Sequence, residues 1–166
     1  MTQADIISDN VASEVGKANE AALRVENLKT HFFSRAGVVK AVDGVSFEIA
    51  RGEILGLVGE SGSGKSVTGF SIMGLIDPPG RIVEGQILHG GQDLMTLGPE
   101  DLRRIRGNRI AMIFQDPMMT LNPVLRVDTQ MVEAVLAHQK VDRAAALEMS
   151  RAALEQVGIP APERRL

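Results

Sequence analysis

The residues with the clearest chemistry form one glycine-rich segment, Gly59-Glu-Ser-Gly-Ser-Gly-Lys65-Ser66. It fills every fixed position of the pattern G-x-x-x-x-G-K-[ST], which a chain of this size contains by chance less than about once in a hundred. The glycines let successive N–H groups point into one concave nest that binds phosphate oxygens. Lys65 would add a mobile cation, and the Ser66 hydroxyl an oxygen ligand for Mg²⁺. The segment therefore predicts a site for the phosphates of a nucleotide.

The residues on either side of this loop have the patterns that such a site needs. Residues 53–58 form a near-continuous apolar run, which predicts a strand buried on both faces, as in a parallel sheet. Residues 65–76 predict a helix, whose N-terminus would add partial positive charge beside the phosphates. The alternative interpretation is a glycine-rich turn with a surface lysine.

Strands and helices alternate through the middle of the chain, so the predicted fold class is α/β. Three alternating stretches (residues 23–28, 38–42 and 45–49) predict an antiparallel region with a break at Asp43-Gly44. The other predicted elements are strands at residues 82–88 and 109–114, a turn at 90–91 and helices at 99–105, 127–138 and 142–157. We expect Asp142 to cap the last helix and Gly158 to end it.

Composition excludes several classes of function. Eighteen Lys and Arg against 21 Asp and Glu give a net charge of −3, so no basic excess indicates a nucleic-acid partner. The chain contains no cysteine, which excludes disulfides and thiolate metal sites. The acidic first 20 residues do not have the pattern of a secretory signal, and we expect a flexible leader at residues 1–21 and a cytoplasmic location.

The phosphate loop alone does not choose between several classes of protein. A GTPase would have the guanine-binding motif Asn-Lys-x-Asp, and this sequence does not contain it. Transporter ATPases place a glutamine at the end of a strand well after the loop. Here Gln115, in Ile113-Phe-Gln-Asp-Pro117, has that position.

The sequence resembles the ATP-binding subunits of ABC transporters, in particular those of dipeptide, oligopeptide and nickel importers. Four segments carry the resemblance: Val39-Lys-Ala-Val-Asp-Gly-Val-Ser-Phe47, Gly56-Leu-Val-Gly-Glu-Ser-Gly-Ser-Gly-Lys-Ser66, Leu102-Arg-Arg-Ile-Arg-Gly107 and Met112-Ile-Phe-Gln-Asp-Pro-Met-Met-Thr-Leu-Asn-Pro123. Met119 departs mildly from the small residue usual in this branch. The resemblance covers about residue 22 to the end. It implies a P-loop NTPase core with an antiparallel β subdomain.

The resemblance also implies ATP and Mg²⁺ as ligands and adds residues to the site. Gln115 has the place of the Q-loop glutamine, which contacts Mg²⁺ and the γ-phosphate side, so Ser66 and Gln115 are the expected metal ligands. Phe32 has the place of the aromatic residue that stacks on adenine, and its neighbour Phe33 is the alternative. Both phenylalanines could also be plain core residues. The expected nucleotide-binding residues are Phe32, Gly59, Glu60, Ser61, Gly62, Ser63, Gly64, Lys65, Ser66, Val67 and Gln115.

After the leader at residues 1–21, which its composition predicts, the resemblance implies two parts of the chain. They are the β subdomain with an incomplete nucleotide-binding core at 22–114, and the Q-loop with the start of a helical subdomain at 115–166. The family's signature motif, acid-bearing strand, D-loop and switch histidine are not found. We therefore expect an N-terminal piece of a longer subunit, with no catalytic residue of its own. It would bind nucleotide and not hydrolyse it alone.

The intact subunit would couple ATP binding and hydrolysis to import of a peptide or of nickel at the cytoplasmic face of the membrane. Its expected partners are transmembrane permease subunits, a second ATP-binding subunit, identical or a sister, and indirectly a solute-binding protein. Residues 118–138 are the candidate docking surface. Two alternatives stay open: a short non-catalytic nucleotide-binding protein that sequesters partners, and a small-molecule kinase, for which no arginine-bearing lid is found.

Overall fold

A long β-hairpin opens the described part of this computed structural model, which comprises residues 21–116 and 120–166. Strand β1 spans Ala21–Ser34 and β2 spans Gly37–Ala50, and they pair antiparallel. The predicted break at Asp43-Gly44 is wrong, because β2 continues through it. Gly44 (φ +84°) is an extra residue in the ladder, so it forms a β-bulge instead of ending the strand.

Two further strands complete a four-stranded sheet in the order β2-β1-β3-β4. Strand β3 spans Gly80–His89 and β4 spans Gln92–Asp93, and all the pairings are antiparallel. The antiparallel region and the turn at residues 90–91 are thus confirmed. The buried apolar residues of the sheet and of the short 3₁₀ turn Leu94–Thr96 are Val25, Leu28, Val42, Ile87 and Leu94.

Helix α1 spans Lys65–Ile72 and begins where the sequence predicts. It ends earlier than predicted, because Gly74 adopts a left-handed conformation (φ +62°). The N–H of Gly74 then donates to Ser71 O at 3.0 Å and that of Leu75 to Phe70 O at 2.8 Å. These two bonds form a Schellman motif, which satisfies the last carbonyls of the helix and turns the chain toward β3.

Two predicted strands are wrong. Residues 53–58 form no strand, and Ile54 and Val58 are 96% and 91% exposed. Residues 109–114 form none either, apart from one bridge between Ile110 and Arg106. An apolar run becomes a strand only where neighbouring strands pair with its backbone N–H and C=O groups. Within the described residues, the four-stranded sheet pairs with neither run.

The chain divides into two compact units, one ending at Gly98 and one beginning at Pro99. The second unit is helical, with α2 at Pro99–Ile105, α3 at Val127–Leu136, α4 at Arg143–Gln156 and a 3₁₀ turn at Pro162–Arg164. Helices α3 and α4 pack together, with Val132, Ala146 and Ser150 buried.

Both predicted ends of α4 are confirmed. Asp142 Oδ1 accepts a hydrogen bond from Ala145 N at 2.8 Å, and Gly158 (φ +76°) ends the helix. Replacing Asp142 by alanine leaves that helical N–H without its acceptor, and we expect a loss of about 1 kcal/mol in free energy of unfolding. Urea denaturation followed by circular dichroism measures the loss. Glu133→Ala, at an exposed position of α3, is the control. Equal stability of the two variants would contradict the cap.

Candidate nucleotide-binding site

The predicted phosphate-binding segment closes around its own lysine. Lys65 Nζ donates to Gly59 O and to Glu60 O, both at 2.7 Å, and to Ser63 Oγ at 3.3 Å. These bonds bend residues 59–65 into a ring with the ammonium at its centre, and Ser63 N also donates to Glu60 O. The cation is therefore fixed at the N-terminal end of α1, where the helix dipole adds positive charge.

Gly64 holds the start of α1 against the sheet. Its φ of +89° lies in the left-handed region, and a Cβ at this position would lie 2.2 Å from Ala41 O. The backbone of the loop thus touches the backbone of β2. Gly62 also has a positive φ, of +82°. Such conformations turn consecutive N–H groups toward one side, as in an anion-binding nest.

Ser66 lies exposed in the first turn of α1, and that turn contains no acidic residue. In the part of the chain that the structure describes, no group of three or more His, Cys, Asp and Glu residues gathers to hold a metal ion. Mg²⁺ in nucleotide sites takes only one or two protein oxygens and completes its shell with phosphates and water. The Ser66 hydroxyl beside the loop fits that requirement.

The other predicted loop residues differ in exposure. Gly59, Glu60, Ser61, Gly62 and Ser63 are exposed, whereas Gly64, Lys65 and Val67 are half-buried. A Cβ at Gly59 would lie 2.6 Å from Ser63 Oγ, a side-chain atom that can rotate away. The exposed backbone of the segment can therefore approach phosphate groups while its last residues anchor it to α1.

The two candidate aromatic residues lie on opposite faces of the sheet. Phe32 shares a face with Thr30, whose hydroxyl contacts Ser71 of α1. Its ring covers Gly80, where a Cβ would lie 2.6 Å from Phe32 Cε1. The ring of Phe33 is covered by the guanidinium of Arg81, 4.2 Å from the ring centroid. Only Phe32 is thus on the same side of the sheet as α1.

Gln115 belongs to the second unit, whereas Phe32 and the loop belong to the first. Gln115 is exposed and lies in no helix or strand. The segment that follows is tied to α3, because Gln130 Oε1 accepts from Asn122 N at 2.9 Å and Gln130 Nε2 donates to Leu125 O at 3.1 Å. Residues 118 and 119, the first two of the predicted docking surface, lie outside the described residues, as does residue 117.

Sequence reasoning missed the buried hydroxyl pair of Thr30 and Ser71, which joins β1 to α1. Neither residue belongs to a motif. The predicted strand at residues 23–28 ends before Thr30, and the only available signal was that both residues are small and polar. Such pairs are common, so this signal does not single out these two.

Comparisons with known proteins agree with this geometry. The model of the ABC transporter family matches residues 42–166. The chain is 48% identical over 145 residues to a probable peptide ABC transporter ATP-binding protein of Sinorhizobium fredii, covering 87% of this chain and 43% of that protein. It is 46% identical to the oligopeptide transport ATP-binding protein OppD of Bacillus subtilis, with coverages of 87% and 40%. For the dipeptide transport protein DppD of Escherichia coli the values are 44%, 88% and 45%.

Solved structures show the same fold. A dimeric bacterial ABC transporter cassette, MJ0796, superimposes with a TM-score of 0.69 at 21% identity, covering 80% of this chain and 56% of that one. The same cassette in a post-hydrolysis state with ADP and Pi gives 0.62 at 22% identity, with coverages of 87% and 62%. These likenesses confirm the predicted fold class, an α/β P-loop ATPase core with an antiparallel β subdomain. The chain spans less than half the length of the curated relatives quoted above.

Proposed function

The chain belongs to the ABC transporter family, and we propose that it forms the part of a transporter subunit that binds ATP with Mg²⁺. The observation that carries the proposal is the loop at residues 59–66. Its backbone is curled around the Lys65 ammonium at the start of a helix. A cation, a nest of N–H groups and a helix N-terminus all favour the same ligand, a chain of phosphates.

Each residue of the site then has a distinct part. Lys65 neutralises charge on the β- and γ-phosphates, and the N–H groups of residues 62–66 bind their oxygens. Ser66 provides one oxygen to Mg²⁺, and we propose Gln115 as a further ligand. The bound Mg²⁺ would neutralise charge that develops on the phosphates during transfer. Residues 22–114 thus contain the β subdomain and part of the core, and residues 115–166 the Q-loop and the start of a helical subdomain.

Titration of the 166-residue chain with ATP and Mg²⁺ in a calorimeter tests the proposal. We expect saturable binding of one nucleotide per chain, weakened when EDTA removes Mg²⁺. Absence of binding at millimolar ATP would overturn it.

Phe32 is the proposed platform for the adenine ring. Its ring lies on the α1 side of the sheet, and base-on-aromatic stacking contributes about 1–3 kcal/mol. We expect Phe32→Ala to weaken ATP binding about tenfold and to leave binding of inorganic tripolyphosphate unchanged. Phe33→Ala, on the opposite face under Arg81, is the matched control and should change neither affinity. A larger effect from Phe33→Ala would reverse the assignment.

For the whole subunit, we propose coupling of ATP hydrolysis to import of peptides. The support comes from the relatives, whose names describe peptide, oligopeptide and dipeptide transport. Nickel remains the other cargo that the sequence suggested. The proposed partners are transmembrane permease subunits, a second ATP-binding subunit and, indirectly, a solute-binding protein, with no nucleic acid. The proposed location is the cytoplasmic face of the membrane, as a peripheral subunit.

No helix within the described residues is long and apolar enough to cross a membrane.

The segment before α3 is the proposed contact with the permease. Leu121, Val124 and Leu125 are exposed there, Val124 by 88%. The Gln130 hydrogen bonds hold this segment to α3, so its apolar side chains stay at the surface. Neighbouring exposed apolar side chains of this kind favour contact with another protein.

A further inference from the structure

A buried pair of hydroxyl groups connects β1 with α1. Thr30 Oγ1 lies 2.8 Å from Ser71 Oγ, and the two residues are 0% and 1% exposed. Ser71 Oγ also donates to Val67 O at 2.7 Å, within the first turn of the same helix. Two polar side chains are thus removed from water at the point where the sheet meets the helix that begins at Lys65.

The direction of the bonds follows from counting protons. Each hydroxyl has one proton to donate. Ser71 gives its proton to Val67 O, so in the contact with Thr30 the Ser71 oxygen accepts and Thr30 donates. A continuous chain of hydrogen bonds therefore runs from the middle of β1 to the carbonyl of Val67, two residues beyond Lys65.

We propose that Thr30 and Ser71 are positioning residues for ATP, because their hydrogen bond fixes α1 relative to Phe32 and so sets the distance between the base and phosphate ends of the site. This inference rests on the proposed function. Phe32 lies two residues after Thr30 on the same face of β1. Ser71 lies six residues after Lys65, or about 9 Å along the helix axis. One short bond thus ties together the elements that bear both ends.

A hydrogen bond suits this role better than apolar contact does. The hydrophobic effect is non-directional, so burial of apolar area alone sets the position of a helix on a sheet less sharply. A buried hydrogen bond weakens steeply when its length or angle changes, so it holds one register. The cost of burying two hydroxyl groups is offset only while they remain paired. The pair therefore selects the helix position in which both ends of one nucleotide can be bound together.

The test compares a ligand that spans both ends with one that binds only the loop. Isothermal titration of the 166-residue chain measures affinities for ATP and for inorganic tripolyphosphate. The variants are Thr30→Val, Ser71→Ala and the double variant. We expect each to weaken ATP binding about three- to tenfold, the range of one neutral hydrogen bond, while tripolyphosphate affinity stays within about twofold.

The double variant separates positioning from stability. Ser71→Ala leaves a buried Thr30 hydroxyl without an acceptor, which destabilises the fold, whereas removing both hydroxyl groups can be nearly neutral. We expect the double variant to regain stability in urea and still to bind ATP weakly. Thr30→Ser keeps a hydroxyl donor at this position and should bind ATP as tightly as the unaltered chain does. Ser46→Ala, which removes a hydroxyl bonded to Asn27 N in the same sheet, is the matched control.

Three results would overturn the proposal. Unchanged ATP affinity in all three variants would show that the hydrogen bond does not position α1 for ATP binding. Equal weakening of ATP and tripolyphosphate would show a purely structural role, as would recovery of ATP affinity in the double variant. If the unaltered chain binds tripolyphosphate but not ATP, the proposed function itself fails, and this inference with it.

Discussion

Replacing Lys65 by alanine is expected to weaken ATP binding by about two orders of magnitude or more. The ammonium would make charge-assisted contacts with two phosphates, each contributing about 1.5–3 kcal/mol, and roughly 1.4 kcal/mol corresponds to a factor of ten. The substitution also removes the donor that Gly59 O and Glu60 O share, so the curl of the loop loosens. Calorimetric titration with ATP and Mg²⁺ measures the effect.

Two controls make this result specific. Lys140→Ala removes an exposed lysine from the second unit and should leave ATP affinity unchanged. Lys65→Arg keeps the charge, but a planar guanidinium cannot replace an ammonium that donates to three acceptors around a small ring. We expect it to bind ATP nearly as weakly as Lys65→Ala. Full ATP affinity in Lys65→Ala would show that the loop is not part of the ATP-binding site.

Gly64→Ala is expected to damage both the fold and the site. The residue is left-handed, which costs about 1–3 kcal/mol for a residue with a Cβ. In addition, the new Cβ would lie 2.2 Å from Ala41 O, a backbone atom that cannot turn aside. Relief of the clash requires β2 and the start of α1 to separate, at a further cost of about 1–3 kcal/mol. Urea denaturation should show a loss of about 2–6 kcal/mol, with ATP binding lost as well.

Gly52→Ala separates the clash from the backbone strain. Gly52 has a similar φ of +76°, and nothing lies within 4 Å of a Cβ placed there. This variant should therefore lose only the strain energy, about 1–3 kcal/mol, and keep its ATP affinity. If Gly64→Ala were no worse than Gly52→Ala, the close approach of the loop to β2 would not matter to either stability or binding.

The features predicted correctly from the sequence are those set by neighbouring residues. The start of α1 at Lys65 follows from the glycines before it, and the Asp142 cap from one side chain and one N–H three residues on. Part of each hairpin strand, residues 23–28 in β1 and 38–42 and 45–49 in β2, follows from period-two alternation, although β1 continues to Ser34. For the helix start and the cap, the chain within a few residues contains the interaction that forms the element. Each hairpin strand also needs the other strand to pair with.

The wrong predictions depend on partners distant in the chain or on the conformation of one glycine. Residues 53–58 have the composition of a buried strand, but composition does not supply a neighbouring strand. The early end of α1 depends on Gly74, whose left-handed conformation outweighs the apolar residues that follow it. The Thr30–Ser71 contact joins residues 41 positions apart, and no local pattern specifies such a pairing.

The order of strands in the sheet has a consequence for how the molecule folds. Strands β1 and β2 meet through a two-residue turn, whereas β3 pairs with β1 only after residues 35–79 have been closed into a loop. That loop contains all the phosphate-binding residues and α1, and its closure carries the larger entropic cost. The hairpin can therefore form early, and the site is completed in the later step that docks β3. A ligand that binds the completed loop stabilises the state in which β3 is docked. It therefore slows the undocking of β3 more than it speeds formation of the hairpin.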